Sequence, residues 1–169
     1  MIFDVIVVGG GIAGLMAAIE AKTDNNRVAV ITKGNLFKSN SSMASGGINA
    51  VLNPKEKDEM KKHIDDTLKG GFGLSDPKVV EYMCKQAPRI ITKLSKYGVV
   101  FDKNSDGTIA QRSFGGGSSK RTCYVGDKTG GTIKGALIKK AKSLHDTFIV
   151  NNFVMNITKM NNIVRGIVD

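Results

Sequence analysis

Two short apolar runs near the start of the chain enclose a segment with helical spacing. The runs Ile2–Val8 and Arg27–Thr32 are rich in β-branched residues, and apolar residues recur every three to four positions across Ile12–Lys22. This pattern predicts two strands buried on both faces and joined by a helix. Such a unit requires parallel strands in a right-handed arrangement.

Two polar loops interrupt the pattern. Lys33–Pro54 is rich in Gly, Ser and Asn, and Gly115–Ser119 is a second glycine-rich stretch. A loop as long as the first one is usually functional when it lies inside a compact domain. Between the loops, Lys55–Leu68 has the spacing of an amphipathic helix.

A further helix is predicted to begin at Asp76 and Pro77. Asp76 suits the cap position and Pro77 the first helical position. The apolar pattern continues to Tyr97, where Gly98 ends it. Because proline removes a backbone donor, Pro88 should kink this helix or split it in two.

The last part of the chain predicts one helix and several strands. The final strand pattern has no polar tail after it, so we expect the chain to be a fragment of a longer protein. The predicted elements are a hairpin of Val99–Phe101 and Ile109–Arg112 about Asn104–Gly107, a helix Gly131–Leu144, a strand Phe148–Asn151, and strands Val154–Thr158 and Ile163–Val168 paired about Asn161-Asn162.

Composition narrows the class of protein. A hydrophobic content of 41% and a charged content of 24% are ordinary for a globular domain, and no apolar run is long enough for a membrane helix. The leading residues lack the pattern of a signal peptide, so we expect a cytoplasmic protein. The net charge of +10 raises nucleic-acid binding as an alternative, but the lysines are interleaved with acids. A basic surface that favours anionic ligands is the preferred interpretation.

Few residues suggest metal or nucleophilic chemistry. Cys84 and Cys123 are far apart and form no Cys/His cluster, so neither a disulfide framework nor a metal site is expected. We expect Cys84 to pack in the core, and we expect His63 and His145 to be structural or solvated. The pair Lys120-Arg121 could face a substrate, but a solvated loop is the simpler interpretation.

The segment Gly9–Gly14 carries the pattern G-x-G-x-x-G. The pattern alone is weak, but here it lies directly between a predicted strand and a predicted helix, as in dinucleotide-binding folds. Gly9 would allow the tight turn, Gly11 the approach of a pyrophosphate, and Gly14 close packing of helix and strand. An acidic residue should follow the second strand, whereas this sequence has Thr32-Lys33. A basic residue at this position could indicate NADP, so the fingerprint alone does not choose the cofactor.

Five further motifs occur together. They are Ser39–Ala50, Asp66–Gly71, Gln86–Pro88, Gln111–Gly116 and Gly126–Gly130. In sequence and in order they resemble the flavoprotein subunits of the succinate dehydrogenase and fumarate reductase family, which also includes L-aspartate oxidase. The same family has a Thr-Lys or Ser-Lys pair where other dinucleotide folds have the acid.

The resemblance implies a fold and a function. The fold would be α/β: a Rossmann-like FAD-binding domain with a parallel sheet and the start of a β-meander, incomplete here, with the capping and C-terminal domains outside residues 1–169. The parent enzyme would transfer hydride between flavin N5 and the CH–CH group of a dicarboxylate, interconverting succinate and fumarate. The alternatives are an L-aspartate oxidase and a non-catalytic dinucleotide-binding module. The resemblance also implies a partner iron-sulfur subunit, peripheral attachment to the inner face of the membrane and no nucleic-acid partner. The fragment alone should be inactive.

The resemblance also implies site residues. Phe114 and Gly115 would lie beside the substrate, where aspartate oxidases resemble one another in having a glutamate before the glycine pair. In members that bind flavin covalently, a Ser-His-Thr triplet carries the histidine that is bonded to the flavin. The matching triplet here is Ser39-Asn40-Ser41, which implies non-covalent FAD because an amide cannot form that bond. The catalytic residues are unknown. The residues expected to bind FAD are Gly9, Gly10, Gly11, Ile12, Ala13, Gly14, Thr32, Lys33, Ser39, Asn40, Ser41, Ala44, Ser45, Gly46, Gly47, Ile48 and Val154.

Overall fold

The computed structural model describes residues 1–53 and 57–168, which form two compact units. Met1–Met43 and Gly131–Asp169 make unit one, and Ala44–Gly130 makes unit two. The elements, in chain order, are β1 Val5–Val8, α1 Ile12–Ala21, β2 Val28–Thr32, α2 Asn40–Met43, β3 Ile48–Asn49, α3 Lys57–Gly70, α4 Pro77–Lys96, β4 Gln111–Arg112, β5 Thr122–Cys123, α5 Thr129–Ser143, β6 Thr147–Val150, β7 Asn156–Met160 and β8 Ile163–Val168.

Unit one is built on a parallel sheet in the order β1-β2-β6. Its pairs Val7 with Val30 and Val30 with Phe148 confirm the predicted parallel strands. Helix α1 packs on β1 and β2, and its Ala18 lies in one apolar cluster with Val28 and Val30. The expectation of full burial is confirmed for β2, where the first four residues are buried.

For the first strand that expectation is wrong. Strand β1 begins at Val5, Ile2 is exposed, and Val8 is also exposed. The described sheet explains the difference, because β2 has a neighbouring strand on each side whereas β1 pairs only with β2 among the described strands.

The last two strands form an antiparallel hairpin in unit one. Asn161 and Asn162 both have positive φ, +52° and +59°, as a two-residue turn between twisted strands requires. The predicted pairing is confirmed, but β7 starts at Asn156, so Val154 precedes the strand instead of beginning it.

Unit two contains a helix pair. The Asp76 carboxylate accepts hydrogen bonds from the backbone N–H groups of Lys78 and Val79, which confirms the predicted cap. The expectation that Pro88 could split the helix in two is wrong, since α4 continues through it, whereas the expected kink stays a prediction. One face of this 20-residue helix buries five residues, and that packing offsets the roughly 3 kcal/mol that an internal proline costs. Of the predicted helix Lys55–Leu68, residues 55 and 56 lie outside the described part of the chain, as does residue 54 at the end of the predicted loop.

The remainder of unit two is a small antiparallel sheet in the order β3-β5-β4. The predicted hairpin is reduced to its turn: Lys103 and Ile109 form an isolated bridge, and Gly107 N–H donates to the Asn104 carbonyl at 3.0 Å. Val99–Phe101 is not a strand. Instead Val99 and Phe101 are buried in the core. Across residues 1–53 and 57–168, no helix combines the length and apolarity needed to cross a membrane.

Candidate functional site

The turn between β1 and α1 has the geometry that the glycine pattern predicts. Gly9 has φ of +114°, a value that side chains rarely allow, and its N–H donates to the Ile31 carbonyl at 2.7 Å. A methyl group on Gly14 would overlap the carbonyl oxygen of Gly9. The turn and the helix start therefore approach each other more closely than any side chain at Gly14 would permit.

A cavity of about 520 Å³ opens beside this turn, entirely within unit one. Its volume lies within the roughly 300–1,000 Å³ of small-molecule and cofactor sites. The structure brings nine of the predicted cofactor residues together here. They are Gly9, Gly10, Gly11, Thr32, Lys33, Ser39, Asn40, Ser41 and Val154.

The serine-rich loop approaches the glycine turn through Ser41. The Ile12 N–H, the first of α1, donates to Ser41 Oγ at 3.4 Å. A methyl group on Gly11 would lie 3.3 Å from the same oxygen, so glycine keeps this space open. Ile12 and Ala13 thus contribute the helix start, although neither side chain lines the cavity. Free N–H groups at a helix start favour an anionic ligand.

The cavity lining carries positive and neutral groups. Thr32 and Lys33 occupy the end of β2, and the described lining residues include no Asp or Glu. Asn152 and Phe153 also line the cavity and were not predicted. Asn152 could have been found from its position at the carboxyl end of β6, where parallel strands present ligand-binding groups.

The second half of the predicted flavin loop, Ala44–Ile48, belongs to unit two. Gly47 has φ of +125°, and a methyl group there would overlap the Cys123 carbonyl oxygen across the β3–β5 pair. The Ala44 carbonyl accepts from the Gly130 N–H at 2.8 Å, and the Ser45 carbonyl accepts from the Thr129 hydroxyl at 3.4 Å. The loop is therefore fixed by its backbone, while the Ser45 side chain stays exposed.

Sequence reasoning missed the role of Arg112 in this loop. Its Nη2 donates to the carbonyls of Ser45 at 3.2 Å and Gly46 at 2.9 Å. Its guanidinium also lies 4.2 Å from the ring centroid of Tyr124 and 5.8 Å from that of Phe114. Arginine supports this arrangement because its planar fork can donate to two carbonyls while its face stacks on a ring.

Phe114 packs directly on Gly46. A methyl group on Gly46 would overlap the edge of the Phe114 ring, yet the Phe114 residue is 53% exposed. A residue so exposed is not core packing. The ring forms an open apolar surface on the glycine of the predicted flavin loop, and the next residue, Gly115, turns the chain with φ of +65°.

Arg121 corrects the expectation of a solvated or substrate-facing loop. Its side chain is buried, and Nη1 donates to Asp66 Oδ2 at 2.7 Å. The same Asp66 oxygen accepts from the Ser118 N–H at 2.8 Å. These hydrogen bonds, that of the Ser118 backbone first, lower the pKa of Asp66 to about 2. Lys120 remains exposed, so the pair does not act as one cationic surface.

His145 is exposed in unit one, whereas the other three residues considered for chemistry are buried in unit two. Cys84 is buried, as predicted, and Cys123 is buried as well. Burial raises the pKa of the Cys123 thiol to about 11, which makes it a poor nucleophile. His63 is buried and not solvated, and burial lowers its pKa. These properties favour structural roles.

FAD fits the cavity in unit one. The glycines leave room at the helix start, N–H and hydroxyl groups surround that point, and lysines supply positive charge without an opposing carboxylate in the described lining. That set suits the pyrophosphate of a dinucleotide. The individual contacts of these residues with FAD, including that of Val154, stay predictions.

Comparison with known proteins agrees with this chemistry. Residues 4–168 match the FAD binding domain family. The chain is 48% identical over 137 residues to an uncharacterized FAD-dependent oxidoreductase of Methanocaldococcus jannaschii, with 80% of this chain and 25% of the relative covered. It is 37% identical to the succinate dehydrogenase flavoprotein subunit of Rickettsia bellii, with 98% of this chain and 29% of the relative covered.

Solved structures give the same result. A quinol fumarate reductase of E. coli superimposes with a TM-score of 0.87 at 31% identity, with 98% of this chain and 28% of that chain covered. This chain thus spans between a quarter and three tenths of the length of these proteins. The cofactor is FAD, which decides the choice left open by Thr32-Lys33. The chain belongs to the FAD binding domain family, in the group that contains the succinate dehydrogenase and fumarate reductase flavoprotein subunits.

Proposed function

We propose that this chain is the amino-terminal, FAD-holding part of an oxidoreductase that interconverts succinate and fumarate. The observation that carries the proposal is the position of Phe114, an exposed ring seated on Gly46. An apolar ring suits a dicarboxylate whose two middle carbons carry no charge. It would leave the ammonium group of aspartate without a partner, which costs several kcal/mol when burial is complete.

Each part of the chain has a separate task in this proposal. Gly9–Gly14 and the Ser39-Asn40-Ser41 triplet hold the dinucleotide, and Ala44–Ile48 presents backbone to the flavin ring. Arg112 holds the Ser45 and Gly46 carbonyls, so that the loop keeps its shape when a ligand approaches. When bound, FAD supplies the two-electron redox chemistry, and the protein supplies orientation and electrostatics.

Phe114 would orient the substrate and exclude water. Its ring offers a flat apolar face for the CH–CH unit, so the carboxylates must find their cationic partners elsewhere in the protein. We assign no catalytic acid or base to the residues of this chain. In the same proposal, a capping domain supplies these groups. The protein also has an iron-sulfur partner subunit and is attached peripherally to the membrane through its partner subunits.

The test uses the full-length protein that contains this chain. It should be yellow as purified, and with an artificial electron carrier it should oxidise succinate or reduce fumarate faster than it oxidises aspartate. Faster oxidation of aspartate would identify an L-aspartate oxidase instead. A colourless protein that retards the migration of DNA or RNA in a gel would favour a nucleic-acid-binding module and overturn the enzyme proposal.

A further inference from the structure

Lys134 is buried inside unit one, although a lysine is rarely found there. It lies on α5, only 2% of the residue is exposed, and it is among the largest fully buried side chains of the described chain. Its Nζ donates to Ser39 Oγ at 2.7 Å. These two residues are 95 positions apart in sequence, so the fold itself creates the contact.

A buried ammonium group requires compensation. Burial lowers the pKa of Lys134, with no opposing contribution from a carboxylate of the described residues. A neutral hydroxyl such as that of Ser39 satisfies one of three N–H donors but supplies no negative charge. Lysines are almost never fully buried unless they are paired. Among the described residues no carboxylate balances the positive charge of protonated Lys134, so an anionic counter-charge bound nearby would stabilise its protonated form.

The position of Ser39 identifies where that counter-charge would lie. Ser39 lines the same cavity as Gly9, Gly10 and Gly11, next to the start of α1. The two lysines of the cavity lining, Lys33 and Lys38, are exposed and keep their hydration. Lys134 does not line the cavity and differs from both because it is buried, where a charge is screened much less than in water.

We propose that Lys134 is a cofactor-positioning residue that orients the Ser39 hydroxyl and supplies the buried positive charge which the pyrophosphate of FAD neutralises. It acts through Ser39 and adds a third element, α5, to a site otherwise built from the glycine turn and the serine-rich loop. The inference depends on FAD binding and is independent of the substrate. In the flavin-free protein, the buried Lys134 ammonium group therefore lowers the free energy of unfolding. A bound dinucleotide offsets that destabilisation.

The experiment measures ligand affinity and stability separately. Full-length protein freed of flavin is titrated with FAD, ADP and adenosine, in unsubstituted form and as Lys134→Met, Lys134→Gln and Lys139→Met. Lys139 lies on the same helix with an exposed side chain, so it controls for loss of one charge. For both Lys134 variants, the dissociation constants of FAD and ADP should rise about tenfold or more, a change of about 1.4 kcal/mol. Adenosine, which lacks phosphate, should bind within about twofold, and Lys139→Met should bind all three normally.

The stability of the flavin-free protein provides the second readout. Because Lys134→Met removes an uncompensated buried charge, its urea midpoint should equal or exceed that of the unsubstituted protein while its FAD affinity falls. A purely structural lysine would give the opposite pattern: lower stability, with adenosine and ADP weakened alike. Normal FAD affinity in Lys134→Met, or affinity restored by the uncharged donor of Lys134→Gln, would also overturn the proposal.

Should neither Lys134 variant fold, Ser39→Ala decides the question. Ser39 is only partly buried, so its loss should not endanger the core. FAD and ADP should bind Ser39→Ala about threefold more weakly or worse, with adenosine unchanged. Unchanged affinity for all three ligands would overturn the inference.

Discussion

Arg121 Nη1 lies 2.7 Å from Asp66 Oδ2, although 55 positions separate the two residues in sequence. The arginine side chain is 3% exposed and that of the aspartate is 20% exposed, so water screens the pair only in part. Arg121 also donates to the hydroxyls of Ser118 and Ser119. The pair thereby ties helix α3 to the glycine-rich loop that follows Phe114.

This pair predicts a dependence of stability on pH. The pKa of Asp66 is lowered to about 2, so its contribution is complete above the unfolded-state pKa of about 3.9 and is lost as pH falls toward 2. Allowing for partial exposure, that contribution is about 1–2 kcal/mol. In urea unfolding, the stability difference between the unsubstituted protein and Asp66→Asn should therefore be smaller at pH 2.5 than at pH 6.

The same substitution predicts a large loss of stability near neutral pH. Asp66→Asn removes the carboxylate that accepts from the buried Arg121 side chain, which should cost about 2–3 kcal/mol in the free energy of unfolding. Its neighbour provides a matched control, since Asp65 pairs with Lys61 on the exposed face of α3. Asp65→Asn should cost less than about 1 kcal/mol. Equal losses for the two variants would contradict the assignment of Arg121 as a buried structural cation.

Substitution by alanine is predicted to have opposite effects on stability at Gly14, in the glycine turn, and at Gly135, in helix α5. Gly14→Ala places a methyl group against the Gly9 carbonyl, so it should destabilise the protein by about 1–3 kcal/mol and weaken FAD binding. Gly135→Ala adds the same methyl group to α5, where it would meet no described atom within 4 Å apart from the adjoining helix backbone. It should stabilise the protein by about 0.5–1 kcal/mol. Thermal unfolding measures the change in stability, and flavin fluorescence titration measures the change in FAD affinity. Destabilisation by Gly135→Ala would contradict the open space beside Gly135.

FAD is predicted to be released intact when the protein is denatured. Asn40, in the cavity lining, occupies the position that a histidine takes in covalently flavinylated relatives by resemblance, and an amide cannot form that bond. After acid precipitation of the full-length protein, the flavin absorbance should remain in the supernatant. Yellow colour that stays with the pellet after washing would contradict a non-covalent cofactor.

Local patterns were sufficient to predict the dinucleotide-binding turn. The apolar runs, the helical spacing and Gly9–Gly14 are each determined within a few neighbouring residues, and the structure has the predicted strand, turn and helix there. The hairpin about Asn161-Asn162 was predictable for the same reason, because its turn chemistry is local.

Contacts between distant residues were not predictable. Arg121 was interpreted as solvated because its neighbours are polar, whereas its partner Asp66 lies on another helix. Pro88 was expected to kink or split α4, and the split does not occur, because a local rule cannot weigh the burial of the helix face on which Ile91 and Leu94 lie. Lys134 was not singled out at all, since nothing near it in sequence distinguishes it from the exposed lysines of α5.

Substrate choice gives the last prediction, and it depends on Phe114. Phe114→Glu would place a carboxylate on Gly46, where the proposed site requires an apolar face for a dianionic substrate. Repulsion and the lost apolar contact together should cost about 2–3 kcal/mol, which lowers kcat/KM for succinate or fumarate by roughly 30- to 150-fold. Because Phe114 packs on Gly46 of the predicted flavin loop, kcat/KM is expressed per bound flavin, which separates lost substrate recognition from lost cofactor. Phe72→Glu makes the same change at a ring that is 91% exposed, and it should leave kcat/KM within about twofold. If both variants retained full activity with succinate, Phe114 would have no part in recognising the substrate.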